Sequence, residues 1–163
     1  MVDGKNLNLK KNVPSKLNKD DDKIYGAVCS NGQLYTFLVN WTDQIATLLN
    51  FSSKTETWRT LTQFSNRREF CVYALMDKIL VFGGRSYGEG VFNSCIVYCW
   101  KDSSCKQASG RLNAKRFNGA ACAVYRGKFV VTGGNSEARG GNLTKTVEAY
   151  DHVDFHAEHG AGH

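Results

Sequence analysis

Apolar residues in this chain come in short runs closed off by glycine or a polar pair, and the runs return at regular distances. Asp77-Lys78-Ile79-Leu80-Val81-Phe82-Gly83-Gly84 lies fifty positions before Gly127-Lys128-Phe129-Val130-Val131-Thr132-Gly133-Gly134, and a weaker copy, Gly32-Gln33-Leu34-Tyr35-Thr36-Phe37-Leu38-Val39-Asn40, lies forty-five positions before the first. Each copy is prefaced by an alternating small and apolar stretch: Gly26-Ala27-Val28-Cys29, Cys71-Val72-Tyr73-Ala74-Leu75, or Ala120-Ala121-Cys122-Ala123-Val124-Tyr125. β-branched and aromatic residues on either side of a short polar turn, at Asn31-Gly32, Met76-Asp77 or Arg126-Gly127, predict one hairpin per copy.

Each hairpin leads on to more strand. A polar, Gly-bearing loop (85–93 or 135–143) precedes a third apolar segment ending in an aromatic: Ile45 to Phe51, Cys95 to Tyr98, and Val147-Glu148-Ala149-Tyr150-Asp151. In the first unit a fourth segment follows around Trp58 and Leu61. The fold class expected is therefore all-β, with four-stranded antiparallel units at 24–66, 67–115 and 116–151, between a basic lead (1–22) and a His-rich tail (152–163). Four strands in about fifty residues is the period of a β-propeller blade. Three such blades do not close a ring, so the expectation is an open arc that self-associates through its end faces, binds a partner that completes the ring, or is poorly stable, or else a truncated piece of a longer parent chain.

The stretch from Arg116 through Gly133-Gly134 to Tyr150-Asp151 resembles a kelch repeat of the kelch-like (BTB-kelch) family, whose pattern is an Arg before strand one, a double Gly ending strand two, a Tyr-Asp at strand three and a Trp on strand four. The second unit has Arg68, Gly83-Gly84 and Tyr98, with Cys105 at the Trp position, where it should weaken contact with the third unit unless the displaced Trp100 compensates. The first keeps Trp58 but has Val39-Asn40 for the double Gly and Phe51 for Tyr. The resemblance covers residues 24 to 151 and implies a partial kelch-type propeller. It also implies a cytoplasmic protein-binding module: the substrate-recognition part of an adaptor for a cullin-RING ubiquitin ligase, an actin-binding scaffold of the cytoskeleton, or both. The BTB and BACK domains that contact the cullin are absent from these residues, so a cullin is a partner only through a longer chain.

Composition adjusts this picture in three places. Sixteen glycines against one proline suit many short strands joined by Gly turns. The net charge of +6 conceals a more basic body: residues 24–150 carry fifteen Lys and Arg against eight Asp and Glu, or +7. That favours an acidic partner, an acidic peptide or actin, with nucleic acid ranking behind protein. The start of the chain is polar and Lys-rich, and no run approaches the about eighteen apolar residues of a membrane span, so the chain reads as soluble and intracellular. In that setting the six cysteines are expected to be reduced, buried and inert thiols, with Cys29, Cys71 and Cys122 inside apolar runs, and the three Asn-x-Ser/Thr sequons unused.

Candidate chemistry is sparse. All four histidines, His152, His156, His159 and His163, fall in the last twelve residues. They have metal-ligand spacing on a helix, but Gly160 and Gly162 oppose that helix, so metal binding or an enzymatic role through the tail is only the rival reading. Without histidine in the repeats no Ser-His or Cys-His pair can be built there; the reading is no enzyme and no cofactor. Antiparallel connectivity instead gathers Arg67, Arg68, Arg85, Tyr87, Lys115, Arg116, Asn135 and Arg139 on the face opposite the hairpin turns. Arginine there suits carboxylate recognition and Tyr87 a rigid anchor, while Arg68 and Arg116 serve equally well as pins between blades.

Overall fold

The computed structural model describes residues 22–65, 67–75, 77–137 and 142–151. Strands β1 (Asp22–Ser30), β2 (Gln33–Asn40), β3 (Ile45–Ser52) and β4 (Thr57–Ser65) pair in sequence order into an antiparallel meander. Next come β5 (Cys71–Leu75) and β6 (Lys78–Phe82), a small ribbon of β7 (Arg85–Ser86) and β8 (Gly90–Val91), then β9 (Ser94–Cys99) and β10 (Ser104–Arg111). The second sheet runs β5-β6-β9-β10, leaving the ribbon as a separate pair. Strands β11 (Phe117–Tyr125), β12 (Lys128–Asn135) and β13 (Val147–Asp151) form the third sheet. The architecture is all-β, with no helix among the described residues. A fourth strand for the last unit would lie beyond Asp151, outside the described residues.

The hairpins form where the small-apolar prefaces end. Asn31 and Arg126 take φ of 50° just before Gly32 and Gly127 at 69° and 73°, which is the two-residue turn that matches strand twist. Ser30 then faces Gln33 and Tyr125 faces Lys128. The loop from Arg85 to Asn93 is more ordered than the sequence implied. It folds back on itself, with Arg85 facing Val91 and the Glu89 N–H donating to the Ser86 hydroxyl at 2.8 Å.

The three sheets approach one another most closely along their first strands, β1 beside β5 and β5 beside β11. Between the first two lies a layer of Phe37, Val39, Ala46, Leu48, Phe70, Ile79, Val81 and Tyr98. Between the second and third lie Leu80, Phe82, Val97, Leu112, Phe129 and Val131, with the Phe82 and Phe129 rings stacked at 4.4 Å. Alternation along β6 sends Ile79 and Val81 to one layer and Leu80 and Phe82 to the other, which is how a sheet buried on both faces serves two neighbours.

Two sequence expectations need correction. Cys105, at the Trp position of the second unit, does not face the third. It lies instead in the layer against the first sheet, where Trp100 also packs, its ring 5.3 Å from Tyr35. The displaced Trp100 thus fills the same gap from a neighbouring position. Trp100→Ala is expected to lower unfolding free energy by about 2 kcal/mol, because the half-buried ring loses part of its apolar contact; an unchanged chemical-denaturation midpoint would contradict that packing role. Second, the burial expected of the cysteines holds for Cys71 and Cys95 alone: Cys29 is exposed, and Cys99, Cys105 and Cys122 are half-buried.

Candidate functional site

Arginines on the loop face divide into two groups once their partners are seen. The Arg116 guanidinium is 1% exposed and donates to the Gly133 carbonyl at 2.6 Å, to the Thr146 hydroxyl at 2.7 Å, and to the Glu148 carboxylate. Glu148 also accepts from the Asn113 N–H at 2.8 Å, the Ala114 N–H at 3.1 Å and the Tyr150 hydroxyl. One carboxylate therefore ties the β10–β11 connection to β13, and Arg116 ties both to the end of β12. Burial pushes the Glu148 carboxyl up, but the hydrogen bonds from Tyr150 and Arg116 outweigh it and hold the group below its ordinary value. Burial and the adjacent carboxylate push the Tyr150 hydroxyl up to about 12.

Arg67 has the equivalent role in the second sheet. It is 5% exposed, donates to the Ser94 carbonyl at 3.0 Å and hydroxyl at 2.6 Å, and lies over the Phe92 ring at 4.5 Å. Burial lowers its pKa to about 10, which leaves it charged at neutral pH. The arginine preceding the second unit's first strand that pins its sheet is thus Arg67, not Arg68 as the sequence pattern had it. Neither Arg67 nor Arg116 offers a surface cation to a partner.

Arg68 stands apart. Its guanidinium is sandwiched between the rings of Trp41, at 4.3 Å, and Tyr87, at 3.6 Å, and its Nε and Nη1 atoms make no hydrogen bond among the described residues. Lys23 covers the Trp41 ring at 4.8 Å. Cation and ring alternate from Lys23 through Trp41 and Arg68 to Tyr87, which is 68% exposed at the tip of the β7–β8 ribbon. The Tyr87 N–H reaches Gln44 of the β2–β3 loop at 3.3 Å, so ribbon and loop from adjacent sheets form one surface. Beside it Arg85 pairs with Glu69 through two contacts at 2.7 and 2.9 Å.

Of the eight loop-face residues singled out by sequence, Tyr87 and Lys115 are exposed, Arg85 and Asn135 are half-buried, and Arg67, Arg68 and Arg116 are buried. Arg139 and the four tail histidines lie outside the described residues. Among the described residues no group of three or more His, Cys, Asp and Glu has the placement to hold a metal ion, and no helix is long and apolar enough to cross a membrane. Sequence reasoning missed Trp41, Glu69 and Glu148. Glu148 had a readable signal, since it shares with Tyr150 the face of β13 opposite the exposed Val147.

Of the repeat glycines, Gly83 and Gly84 sit where the second sheet meets the third. Gly83 and Gly84 have φ of +59° and +89°, and the Gly84 N–H donates to the Arg116 carbonyl of the third sheet at 2.6 Å. A Cβ on Gly83 would stand 2.1 Å from that same carbonyl oxygen. Gly133 and Gly134 share the backbone conformation; a Cβ on Gly133 would meet Gly119 O at 3.3 Å, and one on Gly134 would meet Phe117 O at 3.0 Å and Ala120 Cβ at 3.1 Å, all within the third unit.

No protein-family model matches the chain, and no curated protein does. Among solved structures, that of YjhT is similar with a TM-score of 0.57 and 22% sequence identity, over 68% of this chain and 34% of that one. The chain thus spans about a third of the length of YjhT, and at this identity the likeness bears on the all-β fold alone.

Proposed function

We propose that these sheets are consecutive blades of a kelch-type β-propeller and that the chain is a protein-binding module using its loop face. What supports the propeller is the fifty-residue repeat, the adjoining first strands, and the likeness over 68% of the chain to a protein of which it spans 34%. The observation that carries the function is Tyr87, a rigid, exposed ring held over the buried Arg68 guanidinium. A ring preorganised in this way binds a partner with little loss of side-chain entropy, and the buried cation behind it favours carboxylate-bearing ligands. Exposed Lys115 adds positive charge on the same face, whereas Arg85 is neutralised by Glu69. The partner class is an acidic protein segment; within the kelch-like reading it is a ubiquitin-ligase substrate presented through domains of a longer cytoplasmic chain, or filamentous actin.

Isothermal titration with an acidic (Glu/Asp-rich) peptide and co-sedimentation with filamentous actin test this reading. Tyr87→Ala is expected to weaken binding by at least about tenfold while leaving the thermal midpoint within a few degrees, since the ring is surface-exposed. Raising salt from 50 to 300 mM is expected to weaken binding further, as charge pairing at an exposed face requires. Absence of binding to both probes, or binding indifferent to Tyr87→Ala, refutes the loop-face reading.

A further inference from the structure

Cys71 opens β5 and Cys122 lies in the middle of β11, so the close approach of the second and third sheets brings two thiols together from residues fifty-one positions apart. Their sulfurs are 2.9 Å apart, within about 0.9 Å of the disulfide bond length of about 2.05 Å. The Cys122 S–H also lies 3.2 Å from the Val72 carbonyl. Cys71 is buried and Cys122 half-buried, which leaves the pair open to a small uncharged oxidant but shielded from bulky thiols. The other four cysteines lack this arrangement: among the described residues, this is the thiol–thiol pair the structure brings within hydrogen-bond distance.

We propose that Cys71 and Cys122 form a reversible disulfide that locks the second sheet to the third on exposure to hydrogen peroxide. One sulfur of the pair, as thiolate, attacks one peroxide oxygen; the O–O bond breaks, and the departing hydroxide takes up the proton this thiol gave up and leaves as water. The resulting sulfenic acid is attacked by the other sulfur, forming the S–S bond as the hydroxyl leaves with the second thiol's proton as a second water. Two thiols are oxidised by two electrons in all, and one peroxide is reduced to two waters. The hydrogen bond between the two sulfurs and that from the Val72 backbone lower the Cys71 pKa against the opposing effect of burial, which favours a thiolate within the pair. The bond would cross the joint fastened by Arg116 and Gly84, so it holds the loops of two sheets in fixed relation.

The test oxidises the full chain with hydrogen peroxide, blocks remaining thiols with N-ethylmaleimide and maps the peptides by mass spectrometry. The expected result is one cross-linked peptide pair joining Cys71 to Cys122, lighter by two hydrogens and released by dithiothreitol. Oxidised protein is expected to melt roughly 10 °C higher than reduced, because a cross-link closing a loop of about fifty residues restricts the unfolded chain. That gain should vanish in Cys122→Ser. Maleimide on both Cys71 and Cys122 after peroxide treatment, or linkage of either to a different cysteine, would overturn the proposal; the mapping uses the unaltered chain and does not depend on a variant folding.

Discussion

Gly83→Ala is expected to lower unfolding free energy by about 4 kcal/mol or more, while Gly133→Ala at the equivalent repeat position costs only about 1–2 kcal/mol. Both residues have left-handed backbone, φ +59° and +70°, so both substitutions incur the steric cost of an L side chain in that region. They differ in what a methyl group would strike. At Gly83 it would stand 2.1 Å from the Arg116 carbonyl oxygen, within the backbone connection that the Gly84 N–H also holds. Backbone cannot swing aside as a side-chain tip can, so the second and third sheets must separate locally. At Gly133 the nearest atom is Gly119 O at 3.3 Å, which a shift of a few tenths of an ångström accommodates. Urea denaturation followed by tryptophan fluorescence measures both; equal losses would mean that the third sheet does not pass over Gly83 as described.

Removing Arg116 has the second large effect. Arg116→Met is expected to cost about 3–5 kcal/mol, because it strands the Glu148 carboxylate in a buried site. The paired change Arg116→Met with Glu148→Leu is expected to recover much of that loss, since two apolar side chains leave no uncompensated charge. Acid offers an independent check. The folded Glu148 carboxyl lies below its ordinary value of 4.5, so it contributes stability above about pH 4.5 and loses it as pH falls through the lower folded value. Unfolding free energy of the parent chain should therefore decline between pH 5 and pH 3, and Glu148→Gln should flatten the decline. A parent profile identical to that of Glu148→Gln would contradict the charged pair.

Much of this fold was legible in the chain because its signals are local. Small-apolar prefaces, two-residue turns and doubled glycines each determine a few neighbouring dihedrals, and the strands appear where those signals stand. What the sequence left open was which neighbour each side chain meets. Arg67 and Arg68 are adjacent and chemically identical, yet one is fastened to Ser94 inside the sheet and the other is stacked between two rings. Only strand direction at that point separates them. Cys105 falls in the other gap for the same reason, since a four-stranded sheet presents two faces and spacing does not say which neighbour lies on which. The β7–β8 ribbon is invisible to pattern reading because strands of two residues carry no periodicity. It is also the element that lifts Tyr87 into solvent, so the candidate site was the least legible region of the fold.

Protein binding on the face that carries Tyr87 can be read out by site-specific photo-crosslinking. A benzophenone side chain would replace Tyr87 on the ribbon, and separately Asn31, whose exposed hairpin turn lies at the opposite end of the strands. Filamentous actin or an acidic peptide is expected to be captured from position 87 and not from position 31. Equal capture from both positions, or capture from position 31 alone, would contradict it.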